Sequence, residues 1–115
     1  MKIKPGFTVR MTIERTPAQV YVFVSNPNNL KLWASGLDAA AKVRFVERNL
    51  YGVLDHYVTV EGREVYVPMR VFANGEAAEV LITLFRQPGM SEEKFAQDTL
   101  WVRRDLEALK RLLEK

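Results

Sequence analysis

Residues 7–14, FTVRMTIE, alternate without a break: Phe7, Val9, Met11 and Ile13 point to one side, and Thr8, Arg10, Thr12 and Glu14 to the other. Successive strand side chains face opposite ways, so this pattern predicts a half-buried strand. The period then changes. Thr16 is a helix N-cap and Pro17 suits the first helical position. Val20, Phe23 and Val24 share one helical face, and Asn26 before Pro27 ends that helix, because a residue preceding proline avoids the helical region. A second short helix is predicted over NNLKLWA, closed by Gly36. Residues 37–42, LDAAAK, fit either a helical extension or a loop.

From Val43 the period becomes two, with strands predicted at 43–48, 51–60, 64–73 and 77–86. Glu61 and Gly62 make the first hairpin turn, Asn74 and Gly75 the second, and two hairpins in succession mean an antiparallel meander. Pro68 predicts a bulge or an edge within its strand. In the last strand Val80, Ile82 and Leu84 oppose Glu79, Leu81, Thr83 and Phe85. Both faces are partly apolar, so either that strand is central or a partner covers its outer face. After a turn at Gln87, Pro88 and Gly89, Ser91 caps a long helix with Glu92 and Glu93 in its first turn, where the helix dipole favours negative charge. Phe95, Thr99, Val102, Leu106, Leu109 and Leu113 fall within roughly an 80° arc at about 100° per residue, an amphipathic stripe for a sheet to bury.

Composition narrows the classes. The 115 residues fit one domain, 1–115, and 48% apolar with 27% charged residues is ordinary for a globular protein. There is no cysteine, which excludes disulfides and thiolate metal sites, and a lone histidine is poor support for any metal centre. No cofactor motif is present: there is no glycine-rich phosphate loop and no nucleophile elbow. A net charge of +3 without a basic run points away from nucleic acid. No stretch reaches a membrane span, and the N-terminus lacks a signal peptide's apolar segment, so a cytoplasmic protein is expected.

The segment TIERTPAQVYVFVSNPNNLKLWASGL, then GVLDHYVTV, VPMRVFANGEAAEVLITLFRQPGMSEEKF and WVRRDLEALKRLLE, resembles the START-like (SRPBCC) superfamily, which includes polyketide cyclase/dehydrase and lipid-transport families. The resemblance spans nearly the whole chain. It implies an α+β helix-grip fold, in which an antiparallel sheet wraps around the long C-terminal helix and two short helices follow the first strand. It also implies a cavity between sheet and helix for a small apolar ligand such as a lipid or polyketide. The chain departs from the pattern by about one hairpin, since only LDAAAK separates the tryptophan helix from Val43. That makes a closed cavity less expected and leaves an open sheet edge.

Residues expected to line such a pocket are Phe23, Trp33, Leu54, His56, Val58, Met69, Val71, Ile82, Leu84, Phe95, Thr99 and Val102. His56 shares a strand face with Leu54, Val58 and Val60, while Asp55 faces the other way, so the two cannot form a catalytic dyad. His56 is either a polar group or general base in an apolar pocket, or a core histidine bonded to backbone or water. Trp101 lies beside the helical stripe, at a pocket mouth, at an interface or packed under a loop. Arg70 is placed to pair with Asp55 or Glu79 as a weak surface contact. No carboxylate pair offers acid and base. Three readings follow: binding or transport of an apolar ligand, a cyclase or dehydratase acting through His56 or a tyrosine such as Tyr57 or Tyr66, and a homodimeric interaction module.

Overall fold

The computed structural model describes residues 2–37 and 39–115. Strand β1 (Gly6–Ile13) leads into helix α1 (Pro17–Val24), a 3-10 turn (Pro27–Asn29) and the short helix α2 (Leu30–Trp33). Five strands follow, β2 (Lys42–Phe45), β3 (His56–Val60), β4 (Arg63–Val67), β5 (Met69–Asn74) and β6 (Ala77–Phe85), and then helix α3 (Glu92–Leu113). All strand pairs are antiparallel, in the orders β1-β6-β5 and β2-β3-β4. Among the described residues no hairpin stands between α2 and β2. Asp38, within the ambiguous 37–42 segment, lies outside the described residues; Ala39 and Ala40 form a turn there.

Pro68 explains why there are two sheets. The predicted strand 64–73 is split there into β4 and β5, because proline cannot donate to the ladder. Its carbonyl still accepts from Thr83 N–H at 3.0 Å. The predicted strand 51–60 divides as well. Only residues 56–60 are regular strand; the 52–54 stretch runs along β5, with Leu54 N–H on the Met69 carbonyl at 2.8 Å and Val71 N–H on the Gly52 carbonyl at 2.9 Å. That stretch stitches the two sheets into one curved surface. Strand β6 is central between β1 and β5, which accounts for its two apolar faces without a covering partner.

The caps follow their chemistry. Thr16 and Gln19 form a reciprocal capping box at α1, and the Ser91 hydroxyl accepts from Lys94 N–H at 3.1 Å at the start of α3. The first hairpin turns on Glu61 and Gly62, both with positive φ (51° and 76°) as a two-residue primed turn demands. The second is displaced by one residue from expectation. Asn74 pairs with Ala77, so Gly75 and Glu76 form the turn. Asn74 instead donates its side-chain amide to the Glu79 carboxylate at 2.9 Å. Gly36 does not terminate α2: Ala34 is its C-cap.

The core lies between the curved sheet and the helices. Val9, Ile13, Val80, Met69 and Val71 from the strands meet Val20 and Val24 of α1 and Leu106 and Leu109 of α3. Burying a Leu or Val side chain stabilises a fold by about 1.5–3 kcal/mol, so Leu106 and Leu109, both fully buried, anchor α3 to the sheet. No described helix is long and apolar enough to cross a membrane.

Candidate functional site

The N-terminal half of α3, from Lys94 to Asp105, lines a cavity that it shares with the sheet. The cavity has a volume of about 350 Å³ and is partly open to solvent. Apolar side chains dominate its wall: Val58 of β3, Val65 and Val67 of β4, Ile82 and Leu84 of β6, and Phe95 and Val102 of α3. Trp33 and Leu30 of α2 close one end, and half-exposed Trp101 stands where the cavity meets solvent. The Arg104 guanidinium covers the Trp101 ring, 5.2 Å from its centroid.

Seven of the twelve residues expected in the pocket line it: Trp33, His56, Val58, Ile82, Leu84, Phe95 and Val102. Five do not. Leu54 and Met69 are solid core beneath it, at 1% and 0% exposure. Val71 lies past the Pro68 bend and backs a different groove, between α1 and the 48–52 loop. Phe23 packs from α1 against the core. Thr99 turns its hydroxyl to the Ala96 carbonyl at 2.8 Å.

His56 faces the cavity but is occupied. Its Nδ1 lies 3.0 Å from the Leu54 carbonyl, and its ring tilts against Phe45 at 5.1 Å. A carbonyl only accepts, so Nδ1 carries the proton and Nε2 is left as an acceptor. Burial holds the imidazole below its ordinary pKa, against the opposing pull of the Leu54 bond and the Asp55 charge. The ring is therefore neutral at physiological pH. Among the described residues no side chain hydrogen-bonds it, so nothing orients it as the base of a triad would be oriented.

Asp55 and Arg70 do pair, as expected, but not as a weak surface contact. Asp55 is buried, and its carboxylate also accepts from the Tyr66 hydroxyl and the Met69 N–H, each at 2.8 Å. The Asp55 bond holds the Tyr66 phenol above its usual pKa. This network braces the Pro68 bend, and of its members Tyr66 also lines the cavity.

Among the lining residues that the apolar pattern does not pick out, one is a buried carboxylate. Asp105 of α3 is 6% exposed and lines the cavity. Its carboxylate accepts from the Ser35 hydroxyl at 3.3 Å and the Gly36 N–H at 3.2 and 3.3 Å. Gly36 is needed for that approach: a Cβ there would stand 3.0 Å from Asp105 Oδ2 and 3.1 Å from Trp101 Cβ. Burial pushes the Asp105 carboxyl up to about 6, against the hydrogen bonds that favour its ionised form. A visible signal existed. At about 100° per residue Asp98 and Asp105 fall roughly 20° and 40° beyond the Leu109 margin of the apolar stripe, on the side of Trp101.

That shift has a pH consequence. Between the ordinary carboxyl pKa of 3.8 and about 6, the folded chain binds more protons at Asp105 than the unfolded chain does. Stability from this group therefore falls as pH rises through that window, by on the order of 2–3 kcal/mol in full. Asp105→Asn should be more stable than the parent at pH 7.5 by about 1–3 kcal/mol, with the gap closing near pH 4. Urea unfolding of both proteins across that range checks it; a gap independent of pH would show that ionisation is not its cause.

No protein-family model and no curated protein matches the chain. Solved structures do. CalU16 from Micromonospora echinospora superposes with a TM-score of 0.72 at 15% identity, over 93% of this chain and 73% of that one. DynU16, from the dynemicin biosynthetic locus, gives 0.74 at 17% identity over 96% of this chain, which spans 47% of DynU16. The Aha1 dimer from Colwellia psychrerythraea gives 0.75 at 12% identity, over 96% of both chains. The α+β architecture is thus the helix-grip fold, and identities this low carry the fold alone.

Proposed function

We propose that the protein binds a small apolar molecule between its curved sheet and α3. One observation carries this reading: the fold leaves a cavity of about 350 Å³ with largely apolar walls beside the N-terminal half of α3, while Leu106 and Leu109 further along the same helix are packed in the core. Ligand sites are typically concave, mostly apolar and set with a few polar groups, at volumes of about 300–1,000 Å³. This cavity sits at the small end, which favours a compact ring system of polyketide type over a long acyl chain. A cyclase or dehydratase reading fits less well, since His56 is bonded to backbone and lacks an orienting partner. Isothermal titration with 1-naphthylmethanol tests the binding reading. Saturable one-to-one binding is expected, and no binding at millimolar concentration by this alcohol or by probes with the same ring and another polar group would contradict it.

A second reading is self-association. Val22, Leu50, Tyr51 and Phe72 are exposed around the groove between α1, the 48–52 loop and β5, with Leu50 98% and Tyr51 85% accessible. Light scattering at high protein concentration decides it: a dimer supports the reading and a strict monomer removes it.

A further inference from the structure

We propose that the molecule held in the cavity carries one protonated amine on an apolar body, and that the Asp105 carboxylate receives it. This rests on the ligand-binding reading above and gives that ligand its chemistry.

The charges on the cavity wall lead there. Lys94 and Asp98 neutralise one another through a 2.7 Å ion pair. His56 is kept neutral by burial. Arg104 is not among the lining residues, and its guanidinium lies over the Trp101 ring. Asp105 has only uncharged donors, Ser35 and Gly36, and no cation within ion-pair distance among the described residues. Among the described residues, the cavity therefore presents one carboxylate, Asp105, with no positive partner.

A buried carboxylate without a cation is costly, and a group supplied from outside can remove that cost. A carboxylate offers about four lone-pair sites. Three uncharged donors, the Ser35 hydroxyl and the Ser35 and Gly36 N–H groups, serve the Asp105 carboxylate, so acceptor capacity remains. At pH 7.5, well above the Asp105 pKa of about 6, the anion predominates. An ammonium would supply charge and hydrogen bond together, at roughly twice the strength of a neutral donor. A hydroxyl would supply the hydrogen bond alone, and an acid would be repelled. The rings of Trp33, Phe95 and Trp101 also line the cavity and suit an aromatic body.

Three matched probes test the idea: 1-naphthylmethylamine, 1-naphthylmethanol and 1-naphthoate, titrated calorimetrically into the unmodified protein at pH 7.5. The amine should bind at least about tenfold tighter than the alcohol, and the acid more weakly than both. Asp105→Asn should lower amine affinity by about tenfold or more and leave the alcohol within about threefold. Equal binding of amine and alcohol, or an amine preference that survives Asp105→Asn, overturns the proposal while leaving the cavity reading intact. Binding of none of the three overturns both. The comparison on the unmodified protein needs no variant, so a misfolded Asp105→Asn would not remove the test.

Discussion

Replacing Gly52 with alanine is expected to destabilise the protein by on the order of 3–5 kcal/mol, a large part of the 5–15 kcal/mol that holds a typical domain folded. Gly52 has a φ of +71°, and a Cβ built there would lie 2.0 Å from the Val71 carbonyl oxygen. The left-handed conformation alone costs a non-glycine residue about 1–2 kcal/mol. The collision is with backbone and not with a side chain that can swing away. Relieving it means pulling the 52–54 stretch off β5, which breaks the bond from Val71 N–H to the Gly52 carbonyl and loosens the seam between the two sheets. Urea unfolding measures the loss directly. A change below about 1 kcal/mol would show that the seam is not as close as described.

Filling the cavity should abolish binding while sparing the fold. Val102 projects from α3 into the cavity, and Val58 faces it from β3. Val102→Trp and Val58→Trp each place a large ring in the space a ligand would occupy, from opposite walls. Each should weaken 1-naphthylmethanol binding by about a hundredfold or more, equivalent to some 2.7 kcal/mol. Stability should change little, because the added ring enters a void and is not forced into packed core. Titration calorimetry beside thermal melts separates the two effects. Unchanged affinity in both variants would place the ligand elsewhere.

Much of this was legible in the chain. The stripe from Phe95 to Leu113 located α3, the cap residues Thr16 and Ser91 located helix starts, and alternation located the strands. What alternation did not reveal is where along the inward face the cavity begins. Val65, Val67, Met69 and Val71 all lie on that face, yet the chain bends at Pro68. The first two therefore meet open space, and the last two lie in the core with α1. A bend that redirects a strand leaves its period intact, so the period cannot report it. Gly52 inside a strand pattern was a readable sign of close backbone approach. Asp105 is not legible in this way, because the apolar period carries no information about a carboxylate at the margin of the stripe.

An apolar molecule entering between the sheet and α3 must change the surroundings of the methyl groups on both sides of it. Methyl NMR spectra recorded during titration with 1-naphthylmethanol test such entry most directly. Shifts should concentrate at Val58, Val65, Ile82, Leu84 and Val102, the walls of that cavity. Shifts confined to Val22, Leu50 and Val71 around the other groove, or none at all, would contradict it.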